Sequence, residues 1–170
     1  MCLKECMRPL IVSAAIIFGL FGLGIQLVPS HAGSNPPLNH NAAIEANMTV
    51  SPQAAAVFQK ACRNCHSNET EWPWYSRIAP MSWLVEGDVE KARKAMNLSD
   101  WQNQNGRTRG RAIGTLMAAC AGLEAGRMPP AKYRMMHPEA KLTAGEVKGF
   151  CAWTRSEAHE LRSSAAKPPR

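Results

Sequence analysis

The chain lacks several patterns that would place it in a common class. No run alternates apolar and polar residues long enough to predict a β-strand, no segment repeats, and no basic helix or known nucleic-acid-binding motif occurs. Lysine and arginine are missing between Arg8 and Lys60. These absences argue against a β-rich fold, a repeat architecture and a nucleic-acid partner. They leave an all-α protein with an asymmetric N-terminus.

The region without basic residues contains an apolar run of 19 residues, Leu10 to Val28, which follows Lys4 and Arg8. Positive charge before such a run and none after it orients the N-terminus toward the cytoplasm and the remaining chain outside. The run is about long enough to span a bilayer. Small residues at 30–32 also offer a cleavage site, so residues 1–32 are either a signal peptide or a transmembrane anchor. We favour the uncleaved anchor.

The rest of the chain has room for one compact domain. Residues 33–50 are rich in Asn, Pro and Ala without a sustained period, which predicts a linker. We assign residues 51–162 to the domain and 163–170 to a disordered tail. Beyond the apolar run the chain carries 18 basic and 12 acidic residues. This modest excess suits an acidic protein partner or anionic lipid headgroups, and it equally suits a merely soluble surface.

One motif carries clear chemistry. Cys62-Arg63-Asn64-Cys65-His66 is a C-x-x-C-H run, the attachment signature of a c-type haem. Two thiols at this spacing can add to the two vinyl groups on one porphyrin edge, and the histidine then reaches the iron. A zinc site would need a second ligand pair, and no second C-x-x-C or H-x₃₋₅-H occurs. A thioredoxin-like pair would follow a strand, whereas a helix is predicted before Cys62.

Helical periodicity predicts four helices around this motif. Their expected boundaries are Ser51-Pro52, Pro80, Arg111 with a stop at Gly126, and the capping box Thr143-x-x-Glu146. The expected core positions are Ala55, Phe58, Met81, Val85, Val89, Ala92, Met96, Ile113, Leu116, Met117, Cys120, Leu123, Val147, Phe150, Cys151, Thr154 and Leu161. Trp101 is expected to turn inward from a surface loop.

The order of motifs resembles a family of bacterial exported haem-binding-domain proteins, within a class I cytochrome c plan. The motifs are Cys62-x-x-Cys65-His66-Ser67-Asn68, Trp72-Pro73-Trp74-Tyr75-Ser76, Met128-Pro129-Pro130 and His137-Pro138-Glu139-Ala140. The similarity covers roughly residues 50–155. It implies a cytochrome c-like helical domain around one covalent haem c, facing the periplasm. The family leaves the reaction and the redox partner undefined.

The sixth position on the iron has two candidates. Met128 lies in a turn that Pro129 and Pro130 stiffen, and in cytochromes c the axial methionine has such a Met-Pro context. His137 is the rival, nine residues further on. A methionine raises the reduction potential, a second histidine lowers it, and an open position admits small ligands. We favour Met128. His31, His40 and His159 are poor candidates because they lie toward the two ends of the chain or in the predicted linker.

Aromatic residues crowd the segment after the motif. Trp72, Trp74 and Tyr75 are expected to pack against the haem and to donate hydrogen bonds to its propionates. The alternative is that they only fill the core.

Two cysteines remain after the motif and the cytoplasmic Cys2 and Cys6 are set aside. Cys120 and Cys151 lie on predicted apolar helix faces outside the cytoplasm, where thiols within reach of each other pair. A disulfide between them is favoured over two separately buried thiols.

These observations predict a mono-haem c-type cytochrome that transfers one electron at a time to or from a protein partner of unknown identity. We expect an electron carrier rather than an enzyme. A haem-based sensor or peroxidase-like protein with an open distal site is the first alternative. A module whose haem is mainly structural is the second.

Overall fold

A computed structural model describes residues 2–30 and 32–166, and the regular elements in that part of the chain are all helical. The predicted all-α fold is confirmed. The α-helices are α1 (Cys2–Gly24), α2 (Ile44–Asn47), α3 (Pro52–Val57), α4 (Arg63–His66), α5 (Met81–Ala95), α6 (Arg109–Glu124), α7 (Ala131–Met136) and α8 (Ala144–Ala166). Short 3₁₀ turns lie at Ile25–Leu27, His40–Ala42, Trp74–Arg77 and Pro138–Ala140.

The chain forms two compact units, and neither is continuous in sequence. One comprises Met1–Ser34 with Trp72–Gly87, and the other comprises Asn35–Glu71 with Asp88–Arg170. Helix α5 contributes its first half to the first unit and its second half to the second unit.

The first unit contains the apolar helix α1. Residues Pro9–Leu27 are long and apolar enough to cross a membrane, and none of that stretch is buried. A signal sequence has the same length and composition. Gln26, just past α1, exchanges two hydrogen bonds with the backbone of Ala79: its Nε2 donates to the carbonyl oxygen at 3.1 Å and its Oε1 accepts from the N–H at 3.0 Å.

The second unit contains the hydrophobic core. Phe58 packs edge-on against Phe150 and Trp153, with ring centroids 5.3 and 5.6 Å apart. Edge-to-face contacts of this kind suit the aromatic quadrupole. Ile44, inside the predicted linker, is fully buried in the same core. Residues 33–50 showed no period because their helical pieces are only three or four residues long.

Local capping explains where the helices begin and end. Ser51 Oγ accepts from Ala54 N–H at 3.2 Å, and Thr143 and Glu146 form the predicted capping box at the start of α8. Gly126 has φ +64°, and the N–H of Arg127 donates back to Gly122 O at 3.0 Å. This left-handed residue ends α6, as the sequence predicted.

The disulfide between Cys120 and Cys151 is formed, which confirms the favoured pairing. It joins α6 to α8 with the two Cα atoms 5.1 Å apart, and both cysteines are buried. The two helices are therefore held together covalently as well as by packing.

Some core predictions need correction. Met81 was expected in the core but is 43% exposed, and Ala55 is exposed because Ala54 and Val57 form the inner face of α3. Ile113 and Met117 are only half-buried because the inner face of α6 is shifted toward Ala112 and Leu116. Tyr133 lies in helix α7. Trp101 does turn inward, with 1% of its surface exposed.

Helix α8 continues to Ala166, four residues into the segment predicted as a tail. His31 and residues 167–170 lie outside the described residues, so the middle of the cleavage site at 30–32 and the end of the predicted tail have no structural account.

Candidate functional site

The C-x-x-C-H motif lies at the end of one continuous helical run. Helix α3 passes into a π-helical turn at Phe58–Cys62 and then into α4. A π turn adds a residue to the helical repeat and is frequent at functional sites. Phe58 is anchored in the aromatic core, so this run holds the motif against the body of the second unit.

His66 is fixed by the segment that follows α5. Its Nδ1 lies 3.1 Å from the carbonyl oxygen of Met96, and its own carbonyl oxygen accepts from Leu98 N–H at 2.7 Å. A carbonyl oxygen can only accept, so Nδ1 must carry the proton and Nε2 keeps its lone pair. Histidines that bind metals usually have this arrangement, in which the second ring nitrogen donates to a carbonyl.

The protonation of His66 also suits a ligand. Burial lowers the pKa of the imidazole, against opposing hydrogen bonds to the carbonyls of Met96 and Ala92. The ring is therefore neutral at physiological pH, which is the form that coordinates a metal.

The two motif cysteines are not bonded to each other. Burial, with a further effect of Cys65, raises the pKa of the Cys62 thiol to about 12. The pKa of Cys65 is also raised, by burial and the Asp88 carboxylate, against Arg93 and Lys132. A redox-active C-x-x-C pair has a depressed pKa instead. The site therefore offers two unpaired, protonated thiols.

A buried network of amide side chains supports the segment that holds His66. Asn105 Oδ1 accepts from Asn97 N–H at 3.0 Å, and Asn105 Nδ2 donates to Ala95 O at 3.1 Å. Asn97 Nδ2 donates to Asn68 Oδ1 at 2.9 Å. Asn68, Asn97 and Asn105 are all at least 92% buried. The network therefore links the residues that follow the motif to the segment around Met96.

Arg63, between the two cysteines, forms ion pairs on both sides. Its guanidinium donates to Glu69 Oε2 at 2.5 Å and to Glu45. Ser67 Oγ donates to Arg63 O at 2.7 Å, which closes the last turn of α4. These contacts hold α4 to the chain on both sides of the motif.

The segment from Met128 to Ala140 contacts the motif through Tyr133. Asn64 Nδ2 donates to Tyr133 Oη at 3.0 Å, and the tyrosine ring stacks on His137 with centroids 4.3 Å apart. His137 Nδ1 lies 3.0 Å from Glu139 Oε1. His137 is therefore linked to the motif through one residue, Tyr133.

Met128 lies just beyond the end of α6. Its N–H donates to Gly122 O at 3.2 Å, and its Cγ lies 3.4 Å from where a Cβ on Gly122 would stand. The residue is 45% exposed. Met128 therefore lies at the surface of the second unit rather than in the core, unlike Met96.

Trp72, Trp74 and Tyr75 belong to the first unit. Trp74 is 74% exposed and contacts Tyr75 edge-on, with ring centroids 5.8 Å apart. Trp72 and Tyr75 are half-buried. Their packing against a haem stays a prediction.

A metal site elsewhere has little support. Among residues 2–30 and 32–166 the cluster of Cys, His or carboxylate ligands close enough for an ion is Cys120, Glu124 and Cys151, and its two thiols are consumed by the disulfide. The donor set at the motif fits a haem instead, because it provides two thiols for covalent attachment and an imidazole nitrogen for iron.

An all-α fold with two thiols and an imidazole at this spacing is compatible with a haem protein. The family model described as the haem-binding domain matches residues 20–156, and the chain belongs to that family. No curated protein and no solved structure matches it.

Sequence reasoning missed Met96, Asn97 and Asn105 as supports of His66. Met96 contacts His66 through its backbone carbonyl oxygen, and the residue type at position 96 gives no signal of such a backbone contact. The asparagines look like ordinary loop residues, because only the fold shows that they are buried.

Proposed function

We propose that this chain is a periplasm-facing mono-haem c-type cytochrome that carries single electrons. The observation that supports it best is the hydrogen bond from His66 Nδ1 to Met96 O, beside two unpaired thiols at C-x-x-C spacing. Cys62 and Cys65 would hold the haem covalently, and His66 would present Nε2 to the iron. The haem supplies an iron that takes up and releases one electron.

Denaturing gel electrophoresis followed by haem-peroxidase staining tests this proposal. The wild-type band should keep its stain, and a Cys62→Ala, Cys65→Ala double variant should lose it. A Cys120→Ser, Cys151→Ser double variant is the matched control, because it also removes two cysteines but should stay stained. Haem that leaves the wild-type chain in acidic acetone would contradict covalent attachment.

We further propose that residues 1–32 stay attached as a membrane anchor. Two contacts support retention: Gln26 bonds the backbone of Ala79, and Ser30 Oγ donates to Glu86 Oε2 at 3.1 Å. The family match also begins at residue 20, inside the apolar helix. If residues 1–32 were removed as a signal peptide, the first unit would lose both of these contacts.

For the sixth ligand we propose Met128. Met128 is 45% exposed and is followed by Pro129 and Pro130, the Met-Pro context of an axial methionine. The exposure of Met128 also keeps the first alternative open, a sensor or peroxidase-like protein with an exchangeable ligand. Absorption spectra of the ferrous protein with and without CO separate the two, because an electron carrier should bind CO poorly.

A further inference from the structure

In the segment before α5 and in the first turn of that helix, large apolar residues are exposed and small residues are buried. Four apolar residues are exposed, which we call the apolar stripe: Trp74 (74% exposed), Ile78 (46%), Met81 (43%) and Leu84 (56%). The residues turned inward between them are small: Ser76, Ala79 and Ser82. Met81 and Leu84 lie three positions apart on one face of α5, and Trp74 and Ile78 lie in the segment just before that helix. Soluble surfaces rarely have this arrangement.

The stripe is joined to the end of the apolar helix. Ala79 lies between Ile78 and the start of α5, and both its N–H and its carbonyl oxygen are bonded to the Gln26 amide, at 3.0 and 3.1 Å. Ser30 and Glu86 make a second connection at 3.1 Å. All of these residues belong to the first unit.

This connection fixes the depth of the stripe relative to the anchor. The apolar segment Pro9–Leu27 has 19 residues, or about 28 Å at the helical rise. The hydrocarbon core of a bilayer is about 30 Å thick. Gln26, next to the end of that segment, therefore lies at the outer boundary of the hydrocarbon, and Ala79 lies at the same level.

The composition of the segment suits that depth. Between Trp72 and Val85 the only charged residue is Arg77, which is exposed and can meet anionic headgroups. Tryptophan is enriched where membranes meet water. An exposed Trp74 beside Arg77 matches that boundary.

We propose that the apolar stripe inserts into the outer leaflet of the membrane, at the boundary between headgroups and acyl chains. The proposal rests on the retained anchor of the proposed function. The first unit would then contact lipid through two elements, the spanning helix and the stripe, so that it cannot rotate freely about the helix axis.

Site-specific photocrosslinking of the full haem-loaded chain in lipid nanodiscs tests this proposal. A diazirine-bearing amino acid replaces Ile78, Met81 or Leu84 one at a time, and mass spectrometry identifies the adducts. These positions are exposed, so the replacements should fold, and haem content is measured for each. Phe18 in α1 is the positive control and Lys94, which is exposed in the second unit, is the negative control.

The expected result is lipid adducts at Phe18 and at the stripe positions, at least tenfold above Lys94. Lipid adducts at Phe18 but only water products at the stripe would overturn the proposal and leave the anchor intact. Adducts to haem, to a second copy or to another part of the chain would also overturn it, because the stripe would then have a different occupant. If Phe18 forms no lipid adduct, α1 is not a membrane anchor, and the proposed insertion of the apolar stripe is overturned as well.

Discussion

His66 Nδ1 and the carbonyl oxygen of Met96 lie 3.1 Å apart, and a backbone hydrogen bond from Leu98 to His66 O closes the same pair of segments at 2.7 Å. The side chain and the backbone of the proposed iron ligand are thus held by one short stretch. The orientation and basicity of the imidazole depend on that stretch, which in turn depends on the buried asparagines.

Asn105→Ala should loosen this support. It removes the acceptor for Asn97 N–H and the donor to Ala95 O, so buried backbone groups lose their partners, at about 1–3 kcal/mol of unfolding free energy. The reduction potential should shift as well, because the His66 hydrogen bond loses its fixed geometry. Urea unfolding and redox titration of the haem-loaded protein measure both effects.

Asn103→Ala is the control, because Asn103 is exposed in the same loop and bonds the side chain of Asp100. It should change stability by less than about 0.5 kcal/mol. Equal effects of the two variants would show that the buried network does not support His66.

Much of the fold follows from local sequence signals. The caps at Ser51 and Thr143, the stop at Gly126 and the C-x-x-C-H run are local patterns, and the structure has each of them where the sequence predicted it. The disulfide could also be predicted, because only two cysteines remained once the motif cysteines and Cys2 and Cys6 were set aside. These features need a few neighbouring residues or simple counting.

The parts that the sequence did not predict depend on distant contacts. The burial of Ile44 in a segment without periodicity and the bonds between Gln26 and Ala79 join residues far apart in the chain. Met81 has the spacing of a core residue, yet the face it occupies is exposed. Periodicity finds the faces of a helix but does not say which face is covered.

Loss of the disulfide should destabilise the second unit. Cys120 and Cys151 are 31 positions apart, and the chain-entropy relation gives about 3.5–4 kcal/mol for a loop of that size. Guanidinium unfolding of the Cys120→Ser, Cys151→Ser variant should show this loss. A reducing agent should destabilise the wild type by a similar amount and leave the variant unchanged. A wild type that is insensitive to reductant would contradict the prediction.

The capping box at α8 should make stability depend on pH in the acid range. The pKa of Glu146 is lowered to about 2, first by the hydrogen bond from Lys60 and then by the N–H and hydroxyl of Thr143. The stabilisation is therefore present above the ordinary carboxyl pKa and lost as pH falls toward 2. Wild type should exceed Glu146→Gln in unfolding midpoint at pH 6, and the gap should close by about pH 2.

Two lysine variants test the cause of that shift. Lys60→Met removes the 2.7 Å partner of Glu146 and should narrow the gap between wild type and Glu146→Gln. Lys148→Met removes an exposed lysine from the same helix and should leave the gap unchanged. A gap that is the same in both backgrounds would rule out Lys60 as the main cause.

The topology should place the folded units outside the cytoplasmic membrane, because Lys4 and Arg8 precede the apolar run and no further basic residue occurs until Lys60. Protease added to spheroplasts should digest the chain and leave a cytoplasmic marker protein intact. Protection of the chain until the membrane is lysed would reverse the orientation.

Met128→Ala is the variant that tests the proposed sixth ligand. A sulfur ligand gives ferric haem a weak charge-transfer band near the red end of the visible spectrum, and this variant should abolish it. The reduction potential should fall, because the iron loses a ligand that favours its ferrous state. Met128 is 45% exposed, so truncation should cost less stability than at a buried methionine such as Met96, and the spectral change should not arise from unfolding.

Two further variants decide between the candidate ligands. Met135→Ala removes a methionine that is 81% exposed on α7 and should leave the band and the potential unchanged. His137→Ala should also keep the band, although it removes the ring stacked on Tyr133. A spectrum that survives Met128→Ala and collapses in His137→Ala would mean that two histidines bind the iron. Tyr133 would then connect the second of them to the motif through Asn64.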